Sequence, residues 1–367
     1  MNVPFVDLKA QYASLKTEID TAIQSVLDKA AFIQGPFVAQ FETAFAGKYG
    51  VKHCVGCANG TDAIYITLKA LGLGTGDEVI TVANSWISTS ETISQAGARP
   101  VFVDIEPEYY HLDPRKIEAK ITSKTKAVIP VHLYGQAADI AEIKRICDEH
   151  GLLVIEDCAQ AHFATYAGRR VGTFGAAGTF SFYPGKNLGA YGDAGAIITD
   201  DDLLAERARM FANHGSRRKH HHDMEGVNSR LDGLQAAVLN VKLKYIDQWN
   251  IARHSAALKY QELLADIPQI TTPRLRQNAF HIFHLYVVRA ERRDGLADHL
   301  RSGGIETGLH YPAALPFLKA YARLGHTPAD FPVAHRCQSE ILSLPMYPEL
   351  SDPQMEYVAE SIREFYV

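Results

Sequence analysis

The stretch TFSFYPGKNLGAYGDAGA, residues 179–196, continues an apolar strand pattern and places a single lysine, Lys186, among several glycines. A lysine in such surroundings suggests two different chemistries. It can act as a point charge in a nucleotide phosphate loop, or as an amine that forms an imine with a carbonyl cofactor. The strands around this stretch decide the fold, and residues elsewhere in the chain decide between the two chemistries.

Short, apolar, β-branched runs alternate with helical patterns on both sides of this stretch. The candidate strands are HCVGCA, EVITVA, RPVFVD, KAVIPVHLYG, LLVIED, GTFSFY and GAIITD, and they lie between residues 50 and 200. Continuous apolar strands separated by helices such as DIAEIKRICDEHG predict a mostly parallel sheet that is covered on both faces. The sequence therefore predicts an α/β fold with a sheet of about seven strands.

A long helical pattern follows at residues 229–264, with apolar side chains at helical spacing from Leu231 to Trp249. The run DIPQITTP ends it, and the remainder mixes a strand, HIFHLYVVRA, with two further helical patterns. We therefore expect a large domain at residues 1–245 and a smaller α+β domain at residues 246–367, joined by the long helix.

The composition excludes some classes of protein. The 367 residues are 47% hydrophobic and carry a formal net charge of −5, which argues against a polyanion-binding surface and a nucleic-acid partner. No apolar run approaches the ~20 residues that cross a bilayer, and the first residues lack the apolar core of a signal peptide. These features predict a soluble, cytoplasmic protein without a membrane partner.

The five cysteines include one C-x-x-C pair, Cys54 and Cys57. A zinc site would need ligands from elsewhere, because no second C-x-x-C is present. The pair lies in a predicted strand, where positions i and i+3 point to opposite faces, and this disfavours a redox motif. We interpret the cysteines as structural thiols of a reducing compartment and predict no bound metal.

The phosphate-loop interpretation of Lys186 fails on spacing. A Walker A loop requires G-x-x-x-x-G-K-[ST], whereas six residues separate Gly178 from Gly185 and Asn187 follows the lysine. The imine interpretation, with pyridoxal phosphate as cofactor, requires a carboxylate for the pyridine nitrogen and an anion site for the phosphate. The glycines would then let the chain turn tightly after a strand, so that the lysine faces the cofactor.

Residues that meet both requirements lie at the ends of predicted strands, where ligands bind in open α/β sheets. Asp157 ends LLVIED, although aspartate is also common as an ordinary helix N-cap. Gly60 and Thr61 follow a strand and open a helix, where their N–H groups offer either a phosphate site or a plain helix start. Ser181 can add a hydroxyl to the same phosphate. Only the combination of these residues points to the cofactor.

The chain resembles the DegT/DnrJ/EryC1/StrS aminotransferases, which aminate keto groups on nucleotide-linked sugars. The resemblance runs from residue 3 to about residue 350. It rests on the motifs VPFVDLKAQY, GPFVAQFETAFAGKYG, CANGTDAI, VIEDCAQAH, SFYPGKNLGAYGDAGA, GVNSRLDGLQAAVL, LHYPAAL and LSLPMYPEL. It implies the type I, aspartate-aminotransferase-like fold with bound pyridoxal phosphate, in a homodimer whose two active sites lie at the interface.

The resemblance also implies a role for each matching residue. Lys186 would be the Schiff-base lysine and the acid/base that moves the proton between cofactor and substrate carbon. The cofactor contacts would be Asp157 at the pyridine nitrogen, Gln160 near the phenolic oxygen, Trp86 on the ring, Gly60, Thr61 and Ser181 at the phosphate, and Asn228 at that phosphate from the other subunit. The substrate contacts would be Arg230 with the donor's carboxylate, and Tyr183, His310 and Tyr311 near the sugar. The alternatives are a core aromatic for Trp86 and a surface ion pair for Arg230.

The implied reaction transfers the amino group of L-glutamate to a ketosugar. We expect a buried cationic neighbourhood to hold Lys186 near neutrality. Tyr183 stands where many members of the family have phenylalanine, and it favours a 3-ketosugar of the dTDP-6-deoxyhexose class. The alternatives are amination at C4 of a UDP- or GDP-sugar, amination of a cyclic ketone such as an inositol, and a catalytically silent regulator that binds the cofactor.

The run HGSRRKHHHDMEG, residues 214–226, is rich in histidine and basic residues. Adjacent histidines in a loop rarely converge on one ion, and no cysteine or carboxylate pair stands at ligand spacing. The run fits either a solvated loop or a loop that meets a nucleotide diphosphate, where several N–H donors suit phosphate oxygens.

Overall fold

A computed structural model of the chain describes residues 1–218 and 220–367, so Lys219 of the basic run lies outside the described residues. The α-helices are α1 (Leu8–Asp28), α2 (Pro36–Tyr49), α3 (Gly60–Ala70), α4 (Ser88–Gln95), α5 (Ile140–Glu149), α6 (Asp202–Phe211), α7 (Gly233–Lys242), α8 (Ile246–Leu263), α9 (Arg293–Ser302), α10 (Pro332–Glu340) and α11 (Asp352–Tyr366). The strands are β1 (His53–Cys57), β2 (Glu78–Val82), β3 (Arg99–Val103), β4 (Thr125–Ile129), β5 (Leu153–Asp157), β6 (Thr165–Tyr166), β7 (Arg169–Arg170), β8 (Ala177–Ser181), β9 (Gly195–Thr199), β10 (Ser216–Arg218), β11 (His221–His222), β12 (Ile270–Thr271), β13 (Ala279–Phe280), β14 (Tyr286–Ala290) and β15 (Ile341–Leu344). Within the described ranges, no helix combines the length and apolar character that a membrane crossing requires.

The central sheet has seven strands in the order β1-β9-β8-β5-β4-β2-β3. β9 runs antiparallel to its neighbours β1 and β8, and the other pairs are parallel. The seven strands predicted from apolar runs coincide with the seven strands of this sheet. Strands such as β2 and β9 are buried along their whole length, and this burial accounts for their apolar sequences. The predicted α/β class and mostly parallel sheet are confirmed.

The strand order gathers several chain ends at one edge of the sheet. β4, β5 and β8 are parallel neighbours, so their carboxyl ends lie side by side. Asp157 and Ser181 are the last residues of β5 and β8. β1 runs in the same direction as β8, and α3 begins at Gly60 just beyond it. This edge is where an open α/β sheet binds its ligand.

Helices cover both faces of the sheet. Cys54 of β1 packs in a cluster with Phe41 of α2, whereas Cys57 packs with Ala63 of α3 on the other side. The two cysteines of the C-x-x-C pair therefore point to opposite faces, as the strand spacing predicts. All five cysteines are buried and unpaired.

The long helix predicted at residues 229–264 is wrong in detail, because the structure has two helices there. α7 ends at Lys242 and α8 begins at Ile246. Between them, the N–H groups of Lys244 and Tyr245 donate to carbonyls three residues back, which tightens the turn. Apolar side chains before and after the break pack in one cluster with α1. The helical spacing of apolar residues therefore continues across the break, and the sequence predicts one helix.

The chain after α8 builds a smaller antiparallel sheet in the order β12-β14-β15, packed against α8, α9 and α11. Val3 forms a bridge with Ile305 and packs in the same core, so the first residues lie against this unit. We retain residues 1–245 and 246–367 as the proposed division, with this N-terminal segment resting on the smaller part.

Candidate active site

The N-terminus of α3 lies against the end of β8. The Asn59 side chain caps the helix by accepting a hydrogen bond from the Asp62 N–H at 2.8 Å, and the N–H groups of Gly60 and Thr61 have no partner among the described residues. A Cβ on Gly60 would lie 2.5 Å from the Ser181 Cβ, so only glycine permits this approach. Two backbone donors and an adjacent hydroxyl thus form a cradle for an anion such as phosphate.

Asp157 presents a buried carboxylate at the same edge. Its Oδ1 accepts a hydrogen bond from the Ala159 N–H at 3.1 Å, and its Oδ2 accepts one from the Thr89 hydroxyl at 2.8 Å. Burial raises the pKa of Asp157, while these two hydrogen bonds and the charge of Lys186 oppose the rise. In the described part of the chain no helix begins directly after Asp157, so the N-cap alternative does not apply.

The neighbouring carboxylate, Glu156, has a different task. It accepts three backbone N–H groups from residues 172–175 at 2.6–2.8 Å and lies 3.0 Å from Nε2 of His132. These two side chains and Cys158 stand at metal-ligand spacing. However, protein donors already occupy the carboxylate, so Glu156 anchors a loop. Successive strand residues face opposite sides, which leaves Asp157 alone at the site.

Lys186 lies in the loop after β8, where its backbone N–H donates to the Tyr183 carbonyl at 2.8 Å. Burial lowers the pKa of Lys186 to about 8, and the charge of Asp157 opposes this lowering. The side-chain amine makes no hydrogen bond within the described residues. A lysine with this pKa has neutral amine available near physiological pH, the form that attacks a carbonyl or accepts a proton.

The expected cationic neighbourhood of Lys186 is wrong, since burial alone lowers its pKa. The positive charge of Lys186 lowers the pKa of three histidines, but burial is the larger cause of the lowering for each of them. The pKa is about 3 for His162 and about 4 for His310, and that of His284 lies well below its ordinary value. These imidazoles are neutral at physiological pH, so they add no positive charge near the lysine.

The glycines of the lysine loop permit close approach of backbones. The chain does turn tightly after β8, from Tyr183 to Lys186, but none of the glycines at residues 185–195 has a positive φ, so this turn does not depend on the left-handed conformation that glycine favours. A Cβ on Gly189 would collide with the carbonyl of Pro184, and one on Gly195 with the carbonyl of Asn59. Gly195 thereby lets β9 pass close to the start of α3, beside the anion cradle.

Gln160 and three aromatic residues line the site next to Asp157. The Gln160 side-chain oxygen accepts the Tyr134 N–H at 2.7 Å, and its amide donates to the Tyr311 hydroxyl at 3.0 Å. The Tyr134 hydroxyl donates to the His310 carbonyl. The Trp86 ring lies 5.8 Å from the Tyr311 ring and is 58% exposed, so Trp86 is not a core aromatic.

Two predicted residues do not contact this group within the chain. Asn228 is exposed and forms a backbone bridge with Asn213. Arg230 donates to the Asn213 side-chain oxygen at 3.1 Å and lines a groove of about 530 Å³ beside β1 and α6. The contribution of Asn228 to a partner's site and the binding of the donor's carboxylate by Arg230 stay predictions.

A model of the DegT/DnrJ/EryC1/StrS aminotransferase family matches residues 13–363. The chain belongs to this family. Its relatives include the pleiotropic regulatory protein of Geobacillus stearothermophilus, 48% identical with 100% of this chain and 99% of the relative covered. They also include the dTDP-3-amino-3,6-dideoxy-alpha-D-galactopyranose transaminase of Aneurinibacillus thermoaerophilus, 44% identical with 99% of each chain covered.

The solved structure of S. venezuelae DesV superimposes with a TM-score of 0.97 at 44% identity, and covers 99% of this chain and 98% of that chain. The aminotransferase fold implied by the motifs is therefore confirmed. The protein is an aminotransferase of a pyridoxal-phosphate-dependent family. The residues present fit this cofactor, since the edge of the sheet offers an anion cradle, a buried carboxylate and an amine with a lowered pKa.

Sequence reasoning missed Thr89, which binds Asp157, and Tyr134, which binds Gln160. It also missed Asn187, whose amide donates to the Asn250 side-chain oxygen at 2.9 Å and whose oxygen lies 3.1 Å from Nδ1 of His284. Thr89 stands three residues after Trp86, which the sequence analysis names as a cofactor contact, so a signal existed for it. The other contacts join residues that lie far apart in the chain, so no motif or regular spacing in the sequence indicates them.

The described part of the 214–226 run forms an exposed hairpin of β10 and β11. Arg217 pairs with Glu206 at 3.2 Å and with Asp223 at 3.0 Å. Its charge is therefore balanced within the chain. A contact between this hairpin and a nucleotide diphosphate stays a prediction.

Proposed function

We propose that this aminotransferase moves the amino group of L-glutamate to the C3 keto group of a dTDP-linked 6-deoxyhexose. The observation that carries the chemistry is Lys186, a half-buried amine whose pKa is lowered to about 8, near the carboxylate of Asp157. The substrate class rests on the Aneurinibacillus relative, whose name states a 3-amino group on a dTDP-linked dideoxyhexose.

Pyridoxal phosphate, when bound, supplies an electron sink that makes the substrate carbon acidic. In the proposed site, the N–H groups of Gly60 and Thr61 and the Ser181 hydroxyl bind its phosphate. Asp157 pairs with the pyridine nitrogen. Lys186 holds and moves the proton at Nζ, because a pKa near neutrality lets the amine both accept and release it.

Gln160 and Trp86 would orient the ring. The Gln160 amide has two hydrogens and uses one toward Tyr311, so the second is available for the phenolic oxygen. The Trp86 ring is exposed beside Tyr311, in a position to stack. Such contacts fix the geometry in which Lys186 reaches the reacting carbon.

The proposed substrate contacts are Tyr183, His310 and Tyr311 on the sugar side and Arg230 at the carboxylate of the amino donor, while a second subunit contributes Asn228 at the cofactor phosphate. The proposal therefore includes a homodimer with shared sites, acting in the cytoplasm. The exposed aromatic surface of Trp86 and Tyr183, at 58% and 59%, supports an occupant that covers both rings.

The reverse reaction tests this substrate assignment. The purified enzyme is mixed with 2-oxoglutarate and with a panel of nucleotide sugars that carry an amino group at C3 or C4, linked to dTDP, UDP or GDP. We expect the fastest glutamate formation from the dTDP-linked 3-amino-6-deoxyhexoses, and none with Lys186→Ala. A preference for a 4-amino sugar or another nucleotide would overturn the substrate assignment while leaving the transamination chemistry intact.

The name of the Geobacillus relative favours a second candidate, a regulatory protein that binds the cofactor without turnover. A half-reaction separates the two candidates. Addition of L-glutamate to the loaded protein removes the visible absorbance of the lysine-bound cofactor if the protein is catalytic. Persistence of that absorbance favours the regulator.

A further inference from the structure

Two hydroxyls stand behind the Asp157 carboxylate, and the roles above do not use them. The Thr89 hydroxyl donates to Oδ2 of Asp157 at 2.8 Å, and the Ser85 hydroxyl lies 3.1 Å from that of Thr89. All three side chains are buried. An ionised carboxylate only accepts hydrogen bonds, so the single hydrogen of Thr89 goes to Asp157 and Ser85 donates to Thr89.

This arrangement fixes the carboxylate through both oxygens. Oδ1 takes the Ala159 N–H of its own loop, while Oδ2 takes the hydroxyl of Thr89 in α4. Ser85 and Trp86 lie in the segment that links β2 to α4. One short segment therefore provides both the aromatic ring proposed to stack on the cofactor and the hydroxyls that hold its carboxylate partner.

We propose that Thr89, supported by Ser85, is a positioning residue that keeps Asp157 ionised and oriented toward the pyridine nitrogen. The inference rests on the proposed function, in which Asp157 pairs with that nitrogen. Burial disfavours the ionised carboxylate, and a hydrogen bond to its charged form restores it. A protonated carboxyl offers no negative charge to a pyridinium, so loss of the Thr89 hydroxyl weakens cofactor binding.

The pKa of Asp157 responds to burial first, which raises it, and then to the Ala159 and Thr89 hydrogen bonds, which lower it. The other titratable groups that face it are Lys186, His132, Tyr311 and Cys158. None of these four residues lies in α4, so a substitution of Thr89 does not remove any of them. If the pH dependence of cofactor affinity changes only in variants that lack the Thr89 hydroxyl, the change is due to the loss of that hydroxyl.

The experiment measures the dissociation constant of pyridoxal phosphate from the quenching of protein fluorescence across a pH series. Thr89→Val removes the hydroxyl at similar volume, Thr89→Ser keeps it, and Ser85→Ala removes the outer donor. Thr92→Val is the matched control, because Thr92 is buried in the same helix and donates to the Ser88 carbonyl at 2.8 Å. Thr89→Ala gives the same information if Thr89→Val does not fold.

We expect Thr89→Val to weaken binding at neutral pH by roughly ten- to a hundredfold, the range for loss of one hydrogen bond to a charged group. Its affinity should also fall at a higher pH on acidification than that of the wild type, because Asp157 then takes up its proton earlier. Thr89→Ser and Thr92→Val should follow the wild type, and Ser85→Ala should show a smaller shift in the same direction.

The inference is overturned if Thr89→Val weakens binding no more than Thr92→Val, or weakens it equally at every pH. Asp157→Asn separates this failure from that of the proposed function. If Asp157→Asn loses affinity and Thr89→Val does not, only the inference fails. If Asp157→Asn binds the cofactor as the wild type does, the proposed pairing with the pyridine nitrogen fails, and the inference fails with it.

Discussion

Replacement of Lys186 by methionine should stabilise the cofactor-free protein while it abolishes transamination. Burial lowers the pKa of Lys186 from 10.5 to about 8. One unit of pKa corresponds to about 1.4 kcal/mol, so burial of the charged amine lowers the free energy of unfolding by about 3 kcal/mol. Because the side chain is only half-buried, solvent screening reduces the expected gain to about 1–2 kcal/mol.

The sign follows from where the two states titrate. Below pH 8 the amine is charged in both the folded and the unfolded chain, so the full cost is present. Between pH 8 and 10.5 the folded chain releases its proton while the unfolded chain keeps it, and the cost disappears as the pH rises. Urea unfolding should therefore show Lys186→Met to be more stable at neutral pH, with an advantage that fades toward pH 10.5.

Lys242 provides a matched control, since burial also lowers its pKa to about 8. Its Nζ, however, donates to the Gly189 carbonyl at 2.8 Å and lies 4.4 Å from the centre of the Tyr191 ring. Lys242→Met leaves that carbonyl unpaired and should destabilise the fold by about 1–3 kcal/mol. A Lys186→Met protein no more stable than the wild type at neutral pH, or equally stabilised at all pH values, would refute the reasoning.

Three further predictions follow from the same contacts. Gly60→Ala places a Cβ 2.5 Å from the Ser181 Cβ and should weaken pyridoxal phosphate binding in a fluorescence titration, whereas Gly47→Ala, with nothing within 4 Å, should not. Covalent capture of pyridoxal phosphate by Lys186, followed by absorbance, should accelerate with rising pH and level off above about 8, where the amine is neutral. Glu156→Ala leaves three backbone N–H groups unpaired and should lower the free energy of unfolding by about 3–5 kcal/mol in urea, a loss that Glu156→Gln should reduce.

The strands of the central sheet were predictable because most of their residues are buried, so their sequences are largely apolar. The break between α7 and α8 was not, since apolar residues on both sides pack into one cluster and keep the helical spacing. Local spacing records which side chains are buried. It does not record that hydrogen bonds at Lys244 and Tyr245 reach three residues back, which is what ends the helix.

The site shows the same division. Asp157 could be singled out from its place at a strand end, but the sequence left an N-cap as the alternative, and only the chain path after β5 decides against it. The donor to its Oδ2, Thr89, stands 68 residues earlier in the chain. The lowered pKa of Lys186 likewise comes from burial, which the local sequence does not record, so the sequence analysis assigns it to neighbouring positive charge instead.

The groove beside β1 gives a physical reason to keep Arg230 in the proposed substrate site. Two arginines near it have carboxylate partners, since Arg209 pairs with Glu42 at 2.9 Å and Arg217 pairs with Glu206 at 3.2 Å. Arg230 is half-buried, and among the described residues its guanidinium forms a hydrogen bond only with the neutral side-chain amide of Asn213 and no ion pair. A guanidinium shielded from water without a counter-charge is unfavourable unless an anion joins it, and its planar fork matches a carboxylate. The ion-pair alternative for Arg230 therefore finds no partner among the described residues, and in the proposed site the carboxylate of an amino donor would supply the missing charge.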